Sequence, residues 1–188
     1  MMIATVKKVP LLALFSAAML APPLHAADGN INVTGRVVEN ACVVADESKN
    51  MVVDFGEQAG NSSLGGRGYW QTIRLLDCPS GAKQVKIRFE GTAISDNGWG
   101  WYDKDSTFAP DNQGQPGAAQ NVGFGIYNTD DGSAIKVNGE SKPYELKNSG
   151  SGSENILNFG VQLRWLDKSK PIPLGEATST IQFSILYN

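Results

Sequence analysis

Hydrophobic and polar residues alternate with a period of two along most of this chain. Ile31, Val33, Gly35 and Val37 take turns with Asn32, Thr34 and Arg36. Val85, Ile87 and Phe89 alternate with Lys86, Arg88 and Glu90, and Val122, Phe124 and Ile126 with Gly123 and Gly125. The longest run sets Leu157, Phe159, Val161, Leu163 and Trp165 against Asn158, Gly160, Gln162 and Arg164. The last sets Ile181, Phe183, Ile185 and Tyr187 against Gln182, Ser184 and Leu186. Side chains on a strand point to opposite faces in turn, so each run predicts an antiparallel strand with one buried and one wet face. Turn-forming clusters separate the runs: Pro79-Ser80-Gly81, Asp96-Asn97-Gly98, Asp130-Asp131-Gly132, Asn138-Gly139 and the Gly-Ser-rich stretch 149–153. No sustained helical stripe follows Ala26, so the pattern predicts one all-β domain, a β-sandwich.

The first 26 residues follow another rule. Lys7 and Lys8 precede an uncharged apolar run from Val9 to Leu20, and Ala21 to Ala26 brings a helix break and a small-residue cleavage site. This reads as a secretory signal peptide cut after Ala26 or Ala27, too short and wrongly flanked for a membrane anchor. Removing residues 1–26 leaves 162 of the 188 residues and 14 Lys and Arg against 19 Asp and Glu, a formal charge of −5. No second run is long and apolar enough to hold a bilayer, so no integral membrane segment is expected after processing. The acidic balance also speaks against a nucleic-acid partner, which calls for a basic face.

Processing further removes His25, the only histidine. Catalytic triads and histidine-ligated metal sites therefore cannot be built from the exported chain, and neither an enzyme nor a cofactor or metal is expected. Cys42 and Cys78 are exported together, and an even pair in an oxidising compartment reads most simply as one disulfide. Closing that loop is worth roughly 4 kcal/mol in the chain-entropy model. The alternative, a reactive thiol, needs an activated cysteine.

The ordered blocks "INVTGRVVENACVV", "MVVDFG", "IRLLDCP", "NVGFGIYNTDDGSAI", "LNFGVQLRWL" and "ATSTIQFSILYN" resemble the fimbrial subunits of the chaperone–usher class, similar to type 1 pilins. The resemblance spans essentially the whole exported chain. It implies an incomplete immunoglobulin-like β-sandwich whose final strand is missing and is completed by a donor strand. The division would be a signal peptide at 1–26, a donor-strand extension at 27–38 and a pilin domain at 39–188. Ile31, Val33, Gly35 and Val37 match the donor positions that enter a neighbour's groove, Gly35 where the groove is shallow. Ile181, Phe183, Ile185 and Tyr187 match the strand that borders the subunit's own groove and is grasped by a periplasmic chaperone, with the Asn188 carboxylate held by basic chaperone residues. Cys42 and Cys78 match a disulfide joining the first two strands. The implied partners are that chaperone, an outer-membrane usher and neighbouring pilins, and the implied destination is a cell-surface fimbrium used in adhesion, reached through the periplasm.

Some features fit less directly. The interval from Asn97 to Ala119 is more aromatic than a major subunit leads one to expect. Trp99, Trp101 and Tyr102 on a Gly-flanked loop would suit stacking on sugar rings, the alternative being a minor or tip pilin that binds host glycan. Their competing reading is a hydrophobic plug or subunit contact. Asp103-Lys104-Asp105 and Asp130-Asp131-Gly132 lack the spacing of a calcium loop. Asp46 and Glu47 offer the carboxylates of an exported β-sandwich hydrolase, but nothing in the sequence places two carboxylates across a cleft.

Overall fold

The computed structural model describes residues 41–58, 68–95, 103–167, 169–170 and 174–187. In chain order the elements are β1 (Val43–Val44), α1 (Asp46–Lys49), β2 (Gly68–Leu76), β3 (Gln84–Glu90), β4 (Val122–Asn128), β5 (Ala134–Ile135), β6 (Gly139–Glu140), β7 (Tyr144–Glu145), β8 (Glu154–Trp165) and β9 (Gln182–Tyr187). Among the described residues they form two sheets. One is five-stranded in the order β1-β2-β8-β4-β5. The other is centred on β3, which pairs with β6, β7 and β9. Val85 faces both Tyr144 and Tyr187, and Phe89 both Gly139 and Phe183, so β6 and β7 share one flank of β3 and β9 takes the other. Every strand pairing is antiparallel, as the alternation predicts.

The core is the inward set of that alternation. Ile73 and Leu75 from β2, Val85, Ile87 and Phe89 from β3, Phe124 and Ile126 from β4, and Leu157, Phe159 and Val161 from β8 form one buried cluster with both cysteines. Phe89 and Phe159 meet across it with ring centroids 5.0 Å apart. Cys42 and Cys78 are joined, next to the Val43–Leu76 pair of β1 and β2, so the expected disulfide links the first two strands.

Strand β2 did not stand out in the alternation, because inward Gln71 and outward Trp70 and Leu76 blur its period. The expectation of a wet outer face fails on β4 and β8. Arg164 is buried, and so are Gly123, opposite it on β4, and Gly125, two residues further on and opposite Gln162. The cover is the segment 106–108. Phe108 exchanges backbone hydrogen bonds with Phe124 at 2.8 and 2.9 Å, while Ile94 N–H donates to Thr107 and Ala109 N–H to Thr92. Segment 107–109 thus hydrogen-bonds to β4 on one side and to the chain leaving β3 on the other, tying the two sheets together.

Candidate subunit-joining groove

The opposite flank of the β3 sheet ends on β9, a strand held by β3 on one side. In register, Val85 faces Tyr187, Ile87 faces Ile185 and Phe89 faces Phe183. The β3 members are 0, 0 and 2 % exposed. Their β9 partners point to the same face of the sheet and pack on the same core, yet are only half-buried. Ile181, just before the strand, is half-buried too. One line of inward apolar side chains is sealed, and the neighbouring line lacks a cover of equal depth.

A second stretch behaves in the same way. Met51, Val53 and Phe55 pack half-buried against the core, while Val52, Asp54 and Gly56 are exposed. This is the alternation of a strand. Among the described residues, however, no backbone–backbone hydrogen bond holds 51–55. Phe55 lodges edge-on against Tyr69 of β2 at 5.2 Å and lies 6.1 Å from Phe124 of β4. Among the described residues, β9 and 51–55 thus offer inward apolar side chains and a backbone edge without a ladder partner, which suits an added strand: ladder hydrogen bonds from the edges, pockets for every second side chain.

The end of β9 lies beside the disulfide. Tyr187 Oη donates to the Cys42 carbonyl at 3.5 Å, a long contact that brings the strand's last turn of side chains to the disulfide. Burial pushes the Tyr187 phenol above its ordinary pKa. Ile181, Phe183, Ile185 and Tyr187 therefore lie together along one edge. Ile31, Val33, Gly35 and Val37 lie outside the described residues, as do Trp99, Trp101, Tyr102 and Asn188. The packing of Phe55 on Tyr69 escaped the sequence reading; the alternation of 51–55 was the available signal.

The carboxylates considered for chemistry are engaged elsewhere. Asp46 pairs with Lys49 at 2.7 Å, and Glu47 and Glu154 both pair with Arg74. Asp103 caps the short 3-10 turn at Lys104–Ser106, its side chain accepting from Asp105 N–H. Asp131 accepts from Lys142 and from Ser133 N–H, which hold its carboxyl well below the usual carboxylate range. Among the described residues no three His, Cys, Asp or Glu side chains converge as a metal site, and no helix is long and apolar enough to cross a membrane.

Among the described residues, two antiparallel sheets around one core, with a half-buried line along β9 and a disulfide joining the first two strands, define a class: all-β, immunoglobulin-like subunits. The chain belongs to the fimbrial protein family, whose model matches residues 31–188. It is 29% identical over 175 residues to Protein FimG of Escherichia coli (strain K12), covering 91% of this chain and 92% of that protein. To the probable major fimbrial subunit LpfA of Escherichia coli O157:H7 it is 24% identical over 181 residues, covering 94% and 92%. Its fold matches a subunit of a solved chaperone–usher pilus with a TM-score of 0.60 at 19% identity, over 89% of this chain and 100% of that one. The P pilus rod subunit PapA matches with a TM-score of 0.53 at 17% identity, over 85% and 100%. The protein is thus a structural fimbrial subunit that assembles with other pilin subunits into a surface pilus, and not an enzyme. These relatives give the tip-pilin alternative no advantage.

Proposed function

We propose that the subunits join by β-strand addition along the edge of β9. The extension 27–38 of one subunit lies in the groove between β9 and segment 51–55 of the preceding one, with Ile31, Val33, Gly35 and Val37 directed inward. Before assembly a periplasmic chaperone lends a strand to the same edge, grasping Ile181, Phe183, Ile185 and Tyr187 and holding the Asn188 carboxylate. An outer-membrane usher then exchanges that strand for the neighbour's. The half-burial of Phe183, Ile185 and Tyr187 beside fully buried Phe89, Ile87 and Val85 carries this reading. Covering such a line removes apolar surface from water at about 25 cal/mol per Å2, so a filled groove is far more stable than an empty one.

The test is truncation. Mature protein lacking residues 27–36 is expected to co-purify with the chaperone as the full chain does, yet fail to insert into a preceding subunit. Undiminished polymerisation of the truncated form would overturn the reading. Gly35→Trp gives a second handle: it should block insertion and leave chaperone binding unchanged, because position 35 belongs to the donor and not to the acceptor.

A further inference from the structure

The open edge of β9 continues past the point where the pairing with β3 ends. In β3 and just after it, the backbone of the odd residues is engaged on the β6–β7 flank. Ser141 N–H donates to the Ile87 carbonyl, Ile87 N–H to Ser141 Oγ and Gly91 N–H to Asn138 Oδ1. Backbone groups of successive strand residues point to opposite edges, so the even residues of β3 face β9 and meet Gln182, Ser184 and Leu186. Phe183, Ile185 and Tyr187 therefore turn their N–H and C=O groups to the other edge. The chain before β9 keeps this parity without β3. Glu176 N–H donates to the Gly117 carbonyl at 3.1 Å, and the Glu176 carbonyl accepts from Ala119 N–H at 2.8 Å. Asp111 N–H donates to the Thr178 carbonyl, and Thr180 N–H donates to Asp111 Oδ2, each at 2.7 Å. The Asn112 side chain acts as one more peptide group of this ladder. Its Oδ1 accepts from Thr178 N–H at 3.3 Å, and its Nδ2 donates to the Glu176 carbonyl at 2.9 Å. Gly175 comes so close that a β-carbon there would sit 2.4 Å from the Gly117 carbonyl oxygen.

From this arrangement we infer that Asp111 and Asn112 are positioning residues for subunit joining. They hold 176–180 in line with β9, so that the edge offered to an added strand runs from Ala177 to Tyr187. Two observations carry the inference. Among the described residues no hydrogen bond holds the backbone of Ala177, Ser179 or Ile181, while Glu176, Thr178 and Thr180 between them are all engaged. The side chains of those three odd residues are half-buried, Ala177 and Ile181 against the core, as Phe183, Ile185 and Tyr187 are further on. The second observation is length. The edge from 177 to 187 has 11 residues against the 6 of β9 alone, and the extension 27–38 that a neighbour offers has 12. A donor of that length finds ladder partners along its backbone only if 177–181 is held extended. Ala177 and Ser179 are small, so this end of the edge contributes hydrogen bonds more than apolar contact. The inference rests on strand addition along β9 and names the residues that prepare the stretch before it.

Amide hydrogen exchange of the mature chain, unassembled and in fibres, tests this directly. The amides of Ala177, Ser179 and Ile181 are expected to exchange freely in the unassembled chain and about a hundredfold more slowly in the fibre. Protection confined to Phe183, Ile185 and Tyr187 overturns the inference and leaves strand addition along β9 standing. Absence of protection at those three as well overturns both. Variants separate positioning from simple stability. Asn112→Ala is expected to slow fibre growth about tenfold while the urea midpoint of the unassembled chain barely moves, in keeping with the loss of two ladder hydrogen bonds. Asp111→Asn keeps an oxygen for Thr180 N–H and should grow like the parent, whereas Asp111→Ala should lag. Growth of Asn112→Ala at the parent's rate overturns the positioning role, as does an Asp111→Asn form that is as slow as Asp111→Ala.

Discussion

Arg164 occupies a position that alternation assigns to solvent, and its surroundings explain why it is buried. Its Nη1 donates to the Ser106 carbonyl and to Thr107 Oγ1, each at 2.6 Å, while its Cζ lies 4.9 Å from the centre of the Tyr127 ring. The guanidinium crosses Gly125 so closely that a β-carbon there would sit 2.1 Å from Arg164 Cζ. A charged group held by this many partners cannot swing aside without leaving several buried groups unsatisfied. Gly125→Ala is therefore expected to cost about 2–4 kcal/mol, read by denaturant unfolding. Gly125→Ala with Arg164→Met should recover part of that loss. A Gly125→Ala protein as stable as the parent would show that the guanidinium is loosely held. Sequence periodicity could not reveal this burial, because Arg164 alternates like any wet residue. The glycines at 123 and 125 were the available clue, since glycine inside a strand marks a close approach by another group.

Among elements, β3 and β9 make the sharpest comparison: two paired strands with the same apolar faces and unequal cover. Ile87→Ala should cost about 3 kcal/mol, as truncations of sealed core residues do, whereas Ile185→Ala in the unassembled subunit should cost about half as much. Equal losses at the two positions would mean that the β9 edge is already covered. Strand β7 supplies a test of a different kind. Tyr144 Oη donates to the Asn158 carbonyl of β8 at 2.6 Å, a clamp between the two sheets. Burial, helped by the charge of Asp130, pushes this phenol up to about 12. Because the folded state disfavours the phenolate, the stabilisation is complete below pH 10 and is lost as pH rises from 10 to about 12. Tyr144→Phe is expected to cost about 1 kcal/mol at neutral pH and to show a shallower loss of stability across that alkaline window, followed by urea unfolding against pH. An unaltered alkaline slope would remove Tyr144 from the account. Tyr187 and Lys142 are also raised and push in the same direction.

At the scale of the molecule, the sheets were legible because period-two alternation is a direct image of strand geometry, and it places Val85, Ile87 and Phe89, or Leu157, Phe159 and Val161, in the core without any template. Strand order and the two-sided burial around β4 were not legible, since they depend on which distant segments meet; the pairing of Phe108 with Phe124 leaves no local trace in either stretch. Nor does alternation reveal an absent neighbour: Ile185 reads like Ile87, and only the register of β9 against β3 shows that one of them lies at an edge. The disulfide has a mechanical meaning beyond its contribution to stability. In the proposed fibre, tension enters each subunit through its N-terminal extension, and Cys42 is the first point at which that chain is covalently cross-linked to the body. The load passes through sulfur to Cys78 and the end of β2, whose partner β8 is hydrogen-bonded along nine paired residues. The two-residue strand β1, joined by so few hydrogen bonds that it would peel first, lies beyond that anchor and is relieved of the pull.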